Sequence, residues 1–277
     1  MSSLRLRLSR SLTFVVGSGL MLVLLLMAAA GPLLYPQGPW GMVGPPMIWP
    51  GDRVGLWLGT DSLGRDMLAG LLHGARVSLW IGVAATVAAL SLGMAIGALT
   101  GYYGGLVDDA FMRLTDAVQT IPPFLLAIVV VVITTPSVAA TIGAIALISW
   151  PSVARLVRAE FMRLREAEFV ASCRLLGMSD TRIILTQMLP NAMAPIVVSA
   201  SIMVASAILI ESGLSFLGLG DPNVISWGSM VGMGRSDFRA GWYLVVIPGL
   251  AIMASVLALN LMGDGLNDAL NTRLQHD

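Results

Sequence analysis

The sequence contains no lysine and very little cysteine or histidine. All 16 basic residues are arginine, the only cysteine is Cys173, and the histidines are His73 and His276. A Walker A loop uses a lysine to reach the terminal phosphates of ATP, so this chain does not bind ATP through such a loop. A single cysteine excludes an internal disulfide, and a thiolate zinc site would need ligands from elsewhere. Two histidines argue against a histidine-based catalytic triad or a multi-histidine metal centre.

Charge is also scarce. Only 12% of the 277 residues are charged and 56% are hydrophobic, whereas an ordinary soluble domain has roughly 25% charged residues. The interior of a soluble fold of this length cannot hold so much apolar surface. The composition therefore indicates an all-α membrane protein with several spans. The formal net charge of zero gives no electrostatic basis for nucleic-acid binding.

The first long apolar run extends from Leu12 to Leu34. A cleaved signal peptide is an alternative, because Arg5, Arg7 and Arg10 precede the run and three alanines lie near its end. The apolar region of a signal peptide is typically about 7–15 residues long, which is shorter than this run. We therefore expect a retained transmembrane helix after a short N-terminal tail of residues 1–11.

Residues 35–76 are predicted to form an extracytoplasmic loop. Six prolines between Gly31 and Gly59, five of them inside this loop, exclude a regular helix there, and three tryptophans favour a position near the membrane surface. Thr60 and Asp61 are expected to cap a short interfacial helix, in which leucines recur at helical spacing from Leu63 onward. Asp61, Arg65 and Asp66 would then lie outside, where they order the loop or form a local salt bridge.

A core of five further helices is predicted between residues 77 and 266, which gives about six spans in total. The charge-poor segments run approximately over Val77–Thr100, Phe111–Thr134, Val138–Val157, Ile196–Leu219 and Trp242–Met262. Pro122 and Pro123 are expected to kink or delay the third of these six spans. Residues 267–277 would form a C-terminal tail.

The arginines predict the orientation. If the N-terminus lies inside, 11 of the 16 arginines fall on the cytoplasmic side and 5 on the other side. This excess of basic residues places both termini in the cytoplasm. The polar segment between the fourth and fifth spans is then also cytoplasmic.

The second span contains small residues at every fourth position. They are Ala85, Ala89, Gly93, Gly97 and Gly101. Small residues at this spacing let helices approach closely inside a bilayer. The stripe is consistent either with packing inside the chain or with a moving interface between helices.

Residues 158–190 form the only long charged stretch, and they are predicted to fold as a helical elbow. The segment Arg163–Leu176 is expected to be a helix with an apolar face that includes Val170 and Leu176. Gly177 follows directly, in the position that commonly ends a helix. This elbow is too short to bury a core of its own.

A second short helix is predicted after Gly177. Ser179 or Asp180 would cap it, and Pro190 would separate it from the next span. Its apolar residues Ile183, Ile184 and Met188 are expected to be exposed, so that a membrane or a partner protein would have to cover them.

The elbow resembles a loop found in the permeases of ABC importers. That loop has the form Glu-Ala-Ala, three residues, Gly, and then Leu-Pro further on. The spacing of Ala171-Ser172-Cys173, Gly177 and Leu189-Pro190 is similar. Ala171 stands where the family has Glu, so Glu168 is the candidate for an acidic contact at this point. Gln187 stands where the family has an apolar residue.

The resemblance covers nearly the whole chain. The matching segments are 58–66, 74–79, 189–192, 214–220 and 260–266, in the order found in the C-type permease of dipeptide, oligopeptide and nickel importers. It implies a six-span subunit of a type I importer in a bacterial plasma membrane. The implied partners are a second homologous permease, two ATPase subunits and an extracytoplasmic solute-binding protein. ATP and Mg²⁺ would be bound by the ATPases, and this chain would hold no cofactor or metal and catalyse no reaction.

The same resemblance makes the short helix after Gly177 the coupling helix that docks on an ATPase. The candidate coupling residues it implies are Glu168, Ala171, Ser172, Cys173, Gly177, Ser179, Asp180, Thr181, Arg182, Leu189 and Pro190. The cargo remains open among dipeptides, longer peptides, glutathione-like molecules and nickel chelates.

Glu211 lies inside a predicted span, where an ionisable group is costly and often functional. It could line the translocation pathway or make a structural hydrogen bond. Asp116 is expected to pair with a nearby arginine such as Arg113 or to cap a helix end, and Asp264 likewise. The carboxylates at membrane depth are isolated, which argues against an intramembrane enzyme. A stand-alone secondary transporter or channel is the alternative function, but the inverted repeats typical of such transporters are not visible.

Overall fold

The computed structural model describes residues 11–270, and the predicted tail residues 1–10 and 271–277 lie outside this range. The described part is helical apart from its loops and two isolated β-bridges. Its helices are α1 (Leu12–Leu34), α2 (Met67–Tyr103), α3 (Gly105–Thr120), α4 (Pro123–Thr134), α5 (Val138–Arg165), α6 (Glu168–Leu175), α7 (Asp180–Phe216), α8 (Trp227–Gly234) and α9 (Tyr243–Leu270).

Five of these helices, namely α1, α2, α5, α7 and α9, are long and apolar enough to cross a membrane. A sixth span would consist of α3 and α4 together, but these two helices are bent by 88° at the break between them. The kink expected at Pro122 and Pro123 is therefore confirmed, and it divides the predicted span Phe111–Thr134 into two helices. Pro123 is the first residue of α4 and Pro122 precedes it, which leaves Ile121 in an extended conformation.

The second span begins earlier than predicted, and no separate interfacial helix precedes it in the described residues. Asp66 caps α2 through a 2.8 Å hydrogen bond from the backbone N–H of Leu68 to its Oδ1. The expected cap at Thr60 and Asp61 is therefore wrong, because both residues belong to the preceding loop. At 37 residues, α2 is about 55 Å long and exceeds the roughly 30 Å hydrocarbon core.

The small-residue stripe of α2 packs inside the chain. Ala85 and Ala89 are fully buried. A Cβ atom added to Gly93 would lie 2.5 Å from the Cβ of Val153, and one added to Gly97 would lie 2.5 Å from the carbonyl oxygen of Ala154. Gly101 is equally close to the side chain of Phe161, at 2.6 Å. The glycines therefore allow α2 and α5 to lie backbone against backbone.

Two ion pairs attach α3 to α5. The guanidinium of Arg158 donates two hydrogen bonds of 2.5 Å to the carboxylate of Asp108, in the paired geometry that makes such contacts strong. Arg155 lies 2.6 Å from Asp116, so the partner of Asp116 is this residue and not Arg113. The amphipathic helix α3 is thus held along the charged end of α5.

The long loop (residues 35–66) is ordered against the start of α9. The hydroxyl of Tyr243 lies 2.9 Å from the carbonyl oxygen of Ile48 and 2.8 Å from that of Thr60. The ring of Trp49 packs on Tyr243 at a centroid distance of 5.4 Å. Burial, together with the neighbouring carboxylate of Asp66, raises the pKa of Tyr35 at the start of this loop to about 12.

Candidate functional site

The elbow begins where α5 ends at Arg165. Ala167 adopts an extended conformation with φ −76° and ψ 143°, and α6 starts at the next residue. The continuous helix predicted over Arg163–Leu176 is therefore interrupted. Because of this break, α6 is a separate short helix, and its Val170 is buried among residues of α5 and α7.

Gly177 ends α6 with a positive φ of 73°. Its N–H donates to the carbonyl of Arg174 at 3.0 Å, and the N–H of Met178 donates to that of Cys173 at 3.1 Å. These two hydrogen bonds form a Schellman motif, in which a left-handed residue lets the last carbonyls of a helix find partners. A Cβ atom added to Gly177 would meet no other atom within 4 Å. The backbone conformation, and not packing, is what requires glycine here.

The second half of the elbow differs from the prediction. Ser179 is extended (φ −67°, ψ 148°) and Asp180 starts the helix, but the Ser179 side chain makes no capping hydrogen bond. A π-helical segment, Ile183–Met188, then continues directly into the membrane helix. Pro190 consequently does not separate a short helix from the next span. It lies in the turn after the wider π segment, where the missing N–H and the bulk of its ring are tolerated.

The expected exposure of Ile183, Ile184 and Met188 is also wrong. All three are buried, and they pack with Val170 and the end of α5. The elbow is thereby anchored to the membrane bundle through its own apolar residues. The elbow is thus in direct contact with both α5 and α7.

A different set of apolar residues is exposed on the elbow. Leu175 is 90% exposed and Leu176 is 82% exposed, and they are joined by Leu185 and Phe169. Leu176 therefore does not share the buried face of Val170. We call these four residues, Phe169, Leu175, Leu176 and Leu185, the elbow patch. Several large apolar side chains exposed on one short segment of a protein indicate an interaction surface.

Most of the candidate coupling residues named from the sequence are exposed on the elbow. Exposed positions are occupied by Glu168, Ala171, Ser172, Ser179, Asp180, Thr181, Arg182 and Pro190, whereas Cys173 and Leu189 are half-buried. Tyr102, at the end of α2, was not predicted, although its hydroxyl donates a 2.5 Å hydrogen bond to Asp180. Arg174 stacks over the ring of Tyr102 at 5.2 Å. Tyr102 is recognised as part of the elbow only from its contacts in the folded chain, because no motif surrounds it in the sequence.

Glu211 lies near the opposite end of α7 and is 1% exposed. Its Oε1 accepts a 2.7 Å hydrogen bond from the hydroxyl of Ser215, and its Oε2 accepts a longer one of 3.4 Å from that of Ser78. Ser212 lies 3.5 Å from Oε2. The carboxylate is therefore enclosed by hydroxyl groups of this chain. Of these partners, Ser78 is remote in the sequence and was not predicted.

Three charged residues of the long loop were singled out from the sequence, namely Asp61, Arg65 and Asp66, and they make contacts within the loop and at the start of α2. Asp61 Oδ1 accepts hydrogen bonds of 2.8 Å from the N–H groups of Leu63 and Arg65, and Asp66 caps α2. The guanidinium of Arg65 lies 4.8 Å from the ring centroid of Trp40. Within residues 11–270 they form no salt bridge with one another.

Two further titratable residues noted in the sequence are His73 and Asp264. His73 Nε2 lies 3.0 Å from the carbonyl oxygen of Tyr35, and Asp264 is exposed on α9. In the described part of the chain no three His, Cys, Asp or Glu side chains are grouped so that they could hold a metal ion.

Comparison with known proteins identifies the family. Residues 93–276 match the family described as "Binding-protein-dependent transport system inner membrane component". The chain belongs to this family. It is a multi-pass membrane permease subunit of an ABC importer, whose other components are ATPases and a binding protein, and the hydrolysis of ATP is carried out by those ATPases.

Several members of the family are similar over most of their length. The di/tripeptide transport system permease protein DppC of Pseudomonas aeruginosa is 40% identical over 262 residues, which is 92% of this chain and 86% of that protein. The dipeptide permease DppC of Haemophilus influenzae is 37% identical over 94% of this chain and 90% of its own length. The glutathione transport system permease GsiD of Pectobacterium atrosepticum is 39% identical over 79% of this chain and 73% of its own.

The fold is also that of a solved ABC transporter. An inward-facing structure of the MetNI methionine ABC transporter matches with a TM-score of 0.61 and 16% sequence identity. The match covers 73% of this chain and 97% of the MetNI chain. At this identity the likeness concerns the fold, and it identifies the type I permease fold in this chain.

Proposed function

We propose that this permease forms half of the translocation pathway for peptides and receives the energy of ATP hydrolysis through its elbow. The observation that carries this proposal is the exposed elbow patch together with the direct connection of the elbow to α7. Leu175 and Leu176 are exposed, yet the adjoining α7 runs without a break for 37 residues, or about 55 Å. A partner that binds the patch and moves would therefore displace a helix that crosses the whole membrane.

Two ATPase subunits are the proposed partners, one for this patch and one for the equivalent patch on a second permease. They would bind ATP and Mg²⁺, while this chain holds neither. The absence of lysine supports this division, since no Walker A loop can be written from the sequence. A second, homologous permease would complete the pathway as a heterodimer, and a solute-binding protein would deliver the cargo from outside.

We propose that both termini lie in the cytoplasm of a bacterial cell and that the inner membrane holds the chain. The distribution of 11 against 5 arginines supports this orientation. It places the elbow on the side where ATP is available and the long loop on the side where a solute-binding protein works. The loop is well suited to a rigid docking surface, because Asp61 and Tyr243 hold its backbone by hydrogen bonds.

Peptides are the proposed cargo. This assignment follows from the 40% identity to the di/tripeptide permease, which extends over 92% of the chain. A glutathione permease is 39% identical over a shorter part, so a small peptide-like molecule is the chemistry common to both relatives.

The experiment is reconstitution of the four kinds of subunit in proteoliposomes. Labelled dipeptide should accumulate only when ATP is enclosed on the ATPase side and the solute-binding protein is added on the other. A control with this chain alone should show no uptake. Uptake by the chain alone, driven by a proton or sodium gradient, would instead establish the alternative of a stand-alone secondary transporter.

A further inference from the structure

The short helix α8 is inserted between membrane helices at the end of the molecule opposite to the elbow. Its first residue, Trp227, is fully buried. A Cβ atom on Gly228 would lie 2.5 Å from the Cα of Ser212 on α7, and one on Gly234 would lie 2.7 Å from the Cβ of Leu244 on α9. The backbone of α8 therefore contacts α7 and α9 closely. A small shift of α8 would require both of these helices to move.

Trp227 fastens the start of α8 to α2 by two hydrogen bonds. Its indole Nε1–H donates to the carbonyl of Leu71 at 3.0 Å, and its backbone N–H donates to the hydroxyl of Ser78 at 3.2 Å. The first N–H groups of a helix have no partner within that helix. Ser78 satisfies one of them from a neighbouring helix.

The hydroxyl of Ser78 needs an acceptor for its own proton, and Glu211 provides it. The hydroxyl donates to Glu211 Oε2 while it accepts from Trp227. Without the carboxylate, a serine in a helix tends to donate to the carbonyl four residues earlier, as Thr86 does to Gly82 at 2.8 Å. The carboxylate thus fixes the direction in which the hydroxyl of Ser78 points.

We propose that Glu211 is a positioning residue for transport. Through Ser78 it holds the start of α8 against α2 and α7, so that α8 moves together with α7 when the elbow at the other end of α7 is displaced. The transport part of this statement rests on the proposed function, whereas the position of α8 does not. The hydrogen bonds of Glu211, and not a charge exposed to the cargo, are what this role requires, because the side chain is buried away from solvent.

Four variants separate a role of the hydrogen bonds of Glu211 from a role of its charge. Glu211→Gln keeps an acceptor and a similar shape, Glu211→Leu removes the hydrogen bonds, and Ser78→Ala removes the linking hydroxyl. Ser206→Ala is the matched control, because Ser206 is an exposed residue of the same helix whose hydroxyl bonds only to the carbonyl of Ile202. Each variant is assembled with its partner subunits in lipid nanodiscs or proteoliposomes.

The position of α8 is measured by electron paramagnetic resonance. Spin labels are placed at Met233 on α8 and Val83 on α2, both of which are partly exposed, in a Cys173→Ser background. We expect a narrow distance distribution for the unsubstituted complex, Glu211→Gln and Ser206→Ala, and a broad one for Glu211→Leu and Ser78→Ala. A narrow distribution in the last two variants would overturn the proposal.

Transport is measured on the same complexes. Glu211→Leu and Ser78→Ala should lower peptide uptake per ATP hydrolysed by about tenfold, while Glu211→Gln stays near the unsubstituted value. The double variant Glu211→Leu/Ser78→Ala should be no worse than either single variant, because both substitutions break the same chain of hydrogen bonds.

If Glu211→Gln were as defective as Glu211→Leu, the charge would be essential and the proposal would be wrong. If Glu211→Leu failed to assemble, Ser78→Ala would decide between these outcomes. Failure of the unsubstituted complex to transport peptides would count against the proposed function alone, since the distance measurement does not depend on cargo.

Discussion

A left-handed glycine forms the turn of the elbow. Gly177 has a φ of 73°, and no atom lies within reach of an added Cβ. A side chain there would clash with no neighbour, so the strain would come only from the backbone conformation. For residues with a side chain this region costs roughly 1–2 kcal/mol, and β-branched residues are the least tolerant. Leu175 and Leu176 of the elbow patch lie directly before this turn and Leu185 follows it, so the relative position of these residues depends on the turn.

Gly177→Val should uncouple transport from ATP hydrolysis. The valine should relax the turn by leaving the left-handed region, which moves Leu175 and Leu176 away from their partner. We expect the complex to assemble and to hydrolyse ATP while peptide uptake falls by at least about tenfold. Uptake and hydrolysis measured together in proteoliposomes give this ratio.

Gly38→Val is the matched control for this substitution. Gly38 also has a positive φ, of 81°, and also has no atom near an added Cβ, but it lies in the long loop. The same backbone strain there should leave the coupling ratio unchanged. Equal loss in both variants would mean that strain alone, and not the elbow, explains the result for Gly177.

Individual residues were predictable from the sequence where a local rule acts on them. Gly177 follows from the pattern of a helix end, and Glu211 stands out because its neighbours are apolar. Tyr102 and Ser78 were not predictable, since their partners Asp180 and Glu211 are far away along the chain. Nothing in a tyrosine or serine within an apolar segment indicates a partner that only the fold brings near.

At the scale of elements, the close contact between α2 and α5 is the clearest example of how the helices are packed. Three glycines of α2 leave no room for a Cβ atom, and the tightest contacts are with the carbonyl of Ala154 and the side chain of Val153. Packing of this kind is what holds helices together in a bilayer, where lipid is as apolar as the side chains.

Gly97→Ala should therefore destabilise the protein. Its added methyl group would stand 2.5 Å from a backbone oxygen, which cannot rotate away, so the two helices would have to separate. Overpacking of this type costs about 1–3 kcal/mol. Thermal unfolding in detergent should show a lower midpoint than for the unsubstituted chain. Gly249→Ala, at a glycine of α9 with no atom within 4 Å, is the control and should unfold at the original temperature.

The ion pair between Asp108 and Arg158 gives a second test at this scale. Asp108→Arg should loosen α3 from α5 through loss of the paired hydrogen bonds and repulsion between two arginines, at a cost of about 1.5–3 kcal/mol. The reversed pair, Asp108→Arg with Arg158→Asp, should recover much of this loss. Faster proteolysis near Thr120 in the single variant, and slower cleavage in the double variant, would report the change. An unchanged rate in the single variant would show that the pair does not hold α3.

The sequence predicted which segments are helical better than it predicted where they break. Apolar runs and arginine positions were sufficient for the spans that begin at Leu12, Val138 and Trp242. Helix continuity was harder to predict, because it depends on neighbouring segments. Pro190 suggested a break that a π-helical turn absorbs, whereas Pro122 and Pro123 produced a bend of 88°.

At the scale of the whole molecule, the central expectation is the orientation. If the arginine distribution predicts it correctly, Cys173 on the elbow is cytoplasmic and Val54 in the long loop is outside. In intact cells a membrane-impermeant maleimide should label Val54→Cys, whose side chain is fully exposed, in a Cys173→Ser background. It should label Cys173, which is half-buried, only after the cells are opened. The opposite pattern would reverse the orientation and exclude an ATPase from the elbow.

The most direct test of the account is crosslinking from the elbow patch in the assembled importer. A photoreactive amino acid at Leu176, which is 82% exposed, should crosslink to an ATPase subunit, and the yield should change when ATP is bound. The same group at Val54, which is 100% exposed, should give no ATPase adduct. Crosslinks from Leu176 to lipid alone, with transport intact, would contradict the claim that this permease receives the energy of ATP through its elbow.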